Sequence, residues 1–372
     1  MPAMINKAQE TVLEIDLNAL KHNFEYLKSK LSGNTKFLAV VKAFAYGSDA
    51  EEVAKYLETL DIDYFAVAYT YEGVALRDAG VTTPILVLHP LPVSFDTIIE
   101  RCLEPSLYSK RLLNLFIASA EAHKQYNYPV HLKFNTGLNR LGFVAEDIPE
   151  IAETLSKSEA LKVQSLFSHL AESEELDHPD FTLKQIECFN TIYKKVYTYL
   201  NYKPFLHLCN TSGLLNYPQA HFDMIRSGIG LYGFGNDPKF NKHLQPIATL
   251  KTIISQIHHL KKGESLGYNR GYITKKDIIT ATLPIGHADG IKRQYGNGHG
   301  FVTINNQNAY ILGNVCMDMI MVDVTNIDCQ EGDEVIIFDP NHTAEALAEN
   351  VNSISYELLT AVSQRIKRVI CR

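Results

Sequence analysis

A chain of 372 residues is long enough for two domains. Its 46% hydrophobic and 21% charged residues argue against disorder, and a net charge of -7 offers no basic face for nucleic acid. No apolar run reaches the roughly 18 residues of a membrane span. The first residues, MPAMINKAQE, lack a signal-peptide core. The six cysteines form no CxxC pair, so neither a metal site nor a disulfide framework is expected. The expectation is a reduced, cytoplasmic protein whose partners include neither nucleic acid nor membrane.

The first two-thirds alternates apolar runs with amphipathic stretches. Asp16 is placed to cap a helix carrying Leu17, Leu20, Phe24, Leu27 and Leu31 on one face, with Gly33 ending it. TKFLAVVKA (35–43) reads as a buried strand, and Asp49 with Glu52 opens the next helix as a capping box. Further strands are expected at 64–69, 84–89, 105–109, 130–136, 163–169, 205–210 and 224–229, with the best helix at 182–200. Eight strands alternating with helices favour an α/β (β/α)8 TIM-type barrel, expected over 11–243. An open doubly wound sheet is the alternative, but it usually carries a glycine-rich turn after its first strand, and here Lys42 follows that strand with no GxGxxG. Beyond about 240 the texture becomes strand-like, with turns at GNGHG and NNQN. Only TAEALAEN and SYELLTAVSQRIKRV read as helical. A mostly β C-terminal domain is therefore expected over 244–372, with segment 1–10 a candidate addition to it.

Polar residues collect at the expected strand ends, where barrels of this kind place their chemistry. Lys42, His89, His169, His207 with Asn210, and Arg226 with Ser227 all end strands. Lys133, Asn135 and Arg140 end or follow the fifth. An ammonium beside two valines is costly to bury. Lys42 either reaches solvent at the strand mouth or serves as a Schiff-base lysine of lowered pKa. NTSG (210–213) and RSGIG (226–230) are small-residue stretches that let backbone N–H groups approach an anion. With Lys42 they suggest a phosphate-bearing cofactor that reacts with an amine.

Nine strings in order, VVKAFAYGS, LKFNTGLNRLGF, SHLAESEE, HLCNTSG, RSGIGLYG, LGYNRGY, PIGHADGIKR, GNVCMDMIMVDV and SYELL, resemble the motif set of the alanine racemases from about residue 11 to the end. That resemblance implies a fold-type III pyridoxal 5'-phosphate enzyme, a homodimer with shared active sites, that supplies D-alanine for peptidoglycan. By position, Lys42 corresponds to the lysine that holds the cofactor, and Tyr268 to a second base donated by the other subunit. Tyr46, Thr211, Gly228, Ile229 and Tyr356 correspond to phosphate-binding positions, with Asn210 beside them. Arg226 corresponds to the arginine facing the pyridine nitrogen, and His169 to the histidine beside the ring. Arg140, Met317 (through its N–H) and Asp318 correspond to the substrate-carboxylate region.

Three departures bear on substrate choice. Phe44 and Gly47-Ser48-Asp49 stand where asparagine and GHG are usual, His287 stands where a tyrosine is usual before ADG, and Asn135 replaces an aspartate. Lys133 corresponds to a lysine carbamylated in some members. A racemase of broader range, acting on serine or basic amino acids, and a decarboxylase of the same fold type are the competing readings.

Overall fold

The structure is a computed structural model and describes residues 8–372. The chain forms two compact units. One comprises Lys21–Ala45 and Ala50–Leu244; the other comprises the described residues up to Leu20, Tyr46–Asp49 and Gln245–Arg372.

The first strand, β1 (Val12–Asp16), precedes a helix, Leu17–Lys28. The Asp16 carboxylate accepts from the N–H groups of Asn18 (2.8 Å) and Ala19 (3.0 Å), which satisfies donors the first helical turn leaves free. Leu17, Leu20, Phe24 and Leu27 are buried on the face their spacing predicts.

The expected eight strands follow: β2 (Lys36–Val40), β3 (Tyr64–Val67), β4 (Ile85–Val87), β5 (Glu104–Leu107), β6 (Tyr128–Lys133), β7 (Leu161–Phe167), β8 (Phe205–His207) and β9 (Met224–Ser227). All pair in parallel, and β9 closes on β2 with Leu38 opposite Arg226. This is the TIM-type barrel read from the sequence. Strands covered on both faces need continuous apolar runs, which FLAV, FAV, ILV and VHL supply. The interior is not wholly apolar: Glu104, Ser106, His131, Ser165, His207 and Arg226 are also buried.

The second unit is mostly β, as expected. It contains β10 (Ala248–Ile253), β11 (Gln256–Leu260), β12 (Ser265–Leu266), β13 (Tyr272–Ile273), β14 (Ile278–Leu283), β15 (Phe301–Ile304), β16 (Gln307–Leu312), β17 (Ile320–Asp323), β18 (Glu334–Phe338) and β19 (Lys367–Cys371). Its nine-stranded sheet runs β11-β14-β17-β16-β15-β18-β10-β1-β19, and β12 with β13 forms a separate hairpin.

Two expectations differ from this arrangement. The barrel was expected to begin at residue 11, yet β1 lies between β10 (antiparallel) and β19 (parallel) in the other unit's sheet. Its buried Val12, Leu13 and Ile15 find their neighbours on strands far along the chain. Of the N-terminal segment 1–10, residues 1–7 lie outside the described residues, and the Ala8 N–H donates to Glu334 (2.8 Å). The last helix is also shorter than its periodicity suggests. It spans Ser355–Ala361, after which Lys367–Cys371 pairs with β1, so strand pairing overrides local helical preference. The Arg368 guanidinium holds this exit in place, donating to the carbonyls of Gly47, Ser48, Val362, Ser363 and Ile366. Among the described residues no helix is long and apolar enough to cross a membrane.

Candidate active site

The barrel unit gathers most of the expected residues at the C-terminal ends of its strands. Lys42 follows β2 and is half-buried. Burial, and then the Arg140 charge, hold its ammonium below the ordinary lysine range, while Glu72 opposes them. Ala43, Phe44, Ala45 and Tyr46 all have positive φ, a left-handed turn of four non-glycine residues. Such a turn is disfavoured by roughly 1–2 kcal/mol per residue and needs outside support. Part of that support is Glu72, whose carboxylate accepts from the N–H groups of Ala43 (2.6 Å), Ala68 (2.7 Å) and Tyr69 (2.9 Å).

Lys133 ends β6 and is buried. Burial, then the charges of Arg140, Arg226 and Lys42, push its ammonium down to about 8. Asn135, where an acid was noted as usual, adds no charge. Its oxygen accepts from Gly137 (3.1 Å) and Asn139 (3.0 Å), so it organises the loop that leads to Arg140.

Arg226, on β9, is buried, 5% exposed. It donates to His207 Nδ1 (2.8 Å), the Ser168 carbonyl (2.8 Å), the Leu208 carbonyl (3.1 Å) and His169 Nδ1 (3.2 Å). Burial pushes the guanidinium down to about 10, still well above neutrality. The same burial, and then the Arg226 charge, hold His169 and His207 far below the ordinary histidine range, so both rings are neutral acceptors for it. The ring of Phe167 lies under the guanidinium at 5.4 Å and stacks on His207 at 4.7 Å.

The small-residue corner folds as a helix start, Thr211–Asn216, beside a turn beginning at Gly228. Asn210 caps that helix through its oxygen (2.8 Å from the Gly213 N–H), which Ser173 also engages (2.7 Å). Thr211 Oγ1 lies 3.0 Å from Ser227 Oγ. A Cβ on Gly230 would meet Thr211 Cγ2 at 2.7 Å, so a larger residue there would have to displace the Thr211 side chain. Gly228 and the buried Ile229 open the turn.

The other unit holds the remaining expected residues. The rings of Tyr46 and Tyr356 lie 6.0 Å apart, and burial raises the Tyr46 hydroxyl above its ordinary range. Tyr268 sits in the β12–β13 hairpin loop and is 74% exposed. Met317 is exposed as well, and its carbonyl accepts from Ala288 (3.0 Å). Asp318 pairs with Arg365 (2.7 Å), which also forks onto Asp289 at 2.7 and 2.9 Å. Nothing near Arg365 in sequence marks it, whereas Asp289 lies in the ADG string. His287 is exposed, and its backbone N–H donates to the Cys316 carbonyl.

Known proteins resemble this chain over nearly its whole length. The model for the alanine racemase N-terminal domain matches residues 15–236, and that for the C-terminal domain matches residues 247–370. The alanine racemase of Carboxydothermus hydrogenoformans is 34% identical over 365 residues, covering 96% of this chain and 98% of that protein. The solved alanine racemase of Clostridium difficile superposes with a TM-score of 0.90 at 33% identity, covering 98% of this chain and 96% of that one. The alanine racemase of Bartonella henselae, solved with covalently bound pyridoxal phosphate, superposes with a TM-score of 0.89 at 26% identity, covering 98% of this chain and 100% of that one. The chain belongs to the alanine racemase family.

Proposed function

We propose that this protein interconverts L- and D-alanine, using pyridoxal 5'-phosphate carried on Lys42 and Tyr268 of the partner subunit as the second proton-transferring group. The observation that carries the reading is the barrel-mouth set of Lys42, Lys133, His169 and Arg226. A half-buried lysine with a loosened proton suits reaction with an aldehyde. A buried guanidinium backed by neutral histidines suits a ring nitrogen that must stay unprotonated.

Donor chemistry fits the cofactor at each end. Lys42 would hold its aldehyde carbon, Arg226 its ring nitrogen and His169 its ring face. Tyr46, Thr211, Gly228, Ile229 and Tyr356, with the cap at Asn210, would hold its phosphate. When bound, the cofactor withdraws the electron pair left at the substrate's α-carbon. The chain's own residues do the rest. Lys42 Nζ takes or returns the α-proton on one face, and the Tyr268 hydroxyl of the partner subunit does so on the other. Arg140, the Met317 N–H and Asp318 orient the substrate carboxylate, with Arg365 and Asp289 fixing Asp318. The exposure of Tyr268 and Met317 on a single chain supports a homodimer in which those surfaces are completed by a partner. The D-alanine formed would feed peptidoglycan synthesis.

The purified protein is expected to be yellow and to turn over alanine faster than serine, lysine or arginine. Borohydride should bleach it and leave a label that maps to Lys42. A colourless protein that cannot be reconstituted, or a label elsewhere, refutes the reading.

A further inference from the structure

Inside the barrel, a continuous hydrogen-bonded chain leads away from Arg226 through β8, β7 and β6 to β5. His207 Nδ1 lies 2.8 Å from Arg226, and His207 Nε2 lies 2.8 Å from Ser165 Oγ. Ser165 Oγ lies 2.6 Å from His131 Nδ1, and His131 Nε2 lies 2.7 Å from the Glu104 carboxylate. Barrel register brings the members together, with His131 opposite Ser165 on the adjacent strand. All five are buried. Tyr64 also donates to the Glu104 carboxylate, at 3.3 Å.

The direction of every link follows from what each group can donate. A guanidinium has only donors, so His207 Nδ1 must accept and its proton must sit on Nε2. That proton goes to Ser165 Oγ, whose own proton is then given to His131 Nδ1. Glu104, acting as a carboxylate, only accepts, so His131 donates to it from Nε2 and keeps Nδ1 free to accept from Ser165. The Ser165 hydroxyl can accept from both rings, so Arg226 by itself fixes only His207, and the Glu104 carboxylate is what fixes the His131 tautomer. The cation at one end and the carboxylate at the other fix both histidine tautomers.

Among the described residues Arg226 has no carboxylate as a direct partner; its partners are two histidines and two carbonyls. A buried cation is strongly destabilising without compensation. We propose that Glu104, His131, Ser165 and His207 are positioning residues that lock Arg226 as a donor toward the group it faces, with Glu104 as its remote counter-charge. The functional part of this inference rests on the reading that Arg226 faces the cofactor's ring nitrogen. An Arg226 held less firmly would let that nitrogen gain a proton. The α-proton of alanine would then be returned more often to the cofactor's carbonyl carbon than to the α-carbon, so that the amino group stays with the cofactor and water supplies the keto oxygen of the pyruvate released.

Nitrogen-15 spectra of histidine in the holoenzyme test the relay itself. His207 is expected to be neutral with its proton on Nε2, and His131 is expected to donate from Nε2 and accept at Nδ1. Either ring found as an imidazolium or as the Nδ1–H form overturns the proposal. Glu104→Gln keeps the shape but can donate as well as accept, so His131 should then populate both tautomers. A single unchanged tautomer in that variant counts against Glu104 as the anchor. Pyruvate formed per racemisation turnover tests the function. Ser165→Ala cuts the relay in the middle, and both variants should raise that ratio about tenfold, the effect of one charged hydrogen bond. The double variant should add little to the larger single effect. Slower racemisation with an unchanged pyruvate ratio, or fully additive effects, would reduce these residues to packing. The tautomer spectra do not depend on where the cofactor is bound, whereas the borohydride label on Lys42 does. The two readings therefore fail separately.

Discussion

Replacing Lys133 with methionine removes one ammonium from a cluster of cations while keeping an unbranched stem of similar length. Lys133 is 7% exposed. Its ammonium falls from 10.5 to about 8 through burial and the charges of Arg140, Arg226 and Lys42. The ring of Phe167, at 5.8 Å, is a weak compensation. At about 1.4 kcal/mol per tenfold, the fall corresponds to roughly 3 kcal/mol of unfavourable burial. Lys133→Met should therefore stabilise the protein by up to about 3 kcal/mol at pH 7. The folded-state value lies below the unfolded one, so the cost is complete below about pH 8 and fades as pH rises toward 10.5. The variant's advantage should shrink across the same window. Urea-unfolding midpoints at about pH 7 and pH 10, at one cofactor concentration, measure both effects. A lower midpoint for Lys133→Met at pH 7 would refute the reasoning, because it would mean that Lys133 carries or meets an anion, such as a carbamate on its own nitrogen.

Other substitutions probe separate links. Gly47 has φ +83, and a Cβ there would lie 2.0 Å from the Leu359 carbonyl oxygen. Gly47→Ala should therefore cost at least about 3 kcal/mol in thermal unfolding, and a variant of wild-type stability would contradict the geometry. Glu72→Gln leaves one accepting oxygen for three N–H groups and turns an amide toward at least one of them. It should lose about 2 kcal/mol and release cofactor faster on dialysis, whereas unchanged retention would show that the turn after Lys42 supports itself. Tyr268→Phe should leave stability unchanged, since the side chain is 74% exposed, but slow racemisation by about 10²-fold or more. Solvent deuterium should still enter one enantiomer, the one served by Lys42, without inversion; entry into both would rule out Tyr268 as the second base.

The eight barrel strands were legible because a strand buried on both faces needs an uninterrupted apolar run. The fourth strand departs from that rule: β5 is EPSL, and it buries a glutamate and a serine. Strand β1 was missed because its short VLEID run is completed only by β10 and β19, far away in sequence. β19 was read as helix for the same reason. Lys42, His169 and Arg226 stood out because strand ends put unlike residues next to apolar runs. The left-handed turn could not be read, since Ala-Phe-Ala carries no glycine and its support comes from Glu72 on a later helix. Nor could the link from Glu104 to His207, because each contact in it crosses between neighbouring strands.

Pairing β1 between β10 and β19 also sets an order of events during synthesis. From Asp16 to Ala248 the ribosome must add a stretch that takes roughly 10 to 50 s at common elongation rates. For that interval the first strand has no sheet to join, while the barrel sequence has already emerged and can close. The sheet that accepts β1 is completed only once β19 has emerged. A nascent chain stalled before Lys367 would thus expose one edge of β1, an adhesive surface that chaperones must cover.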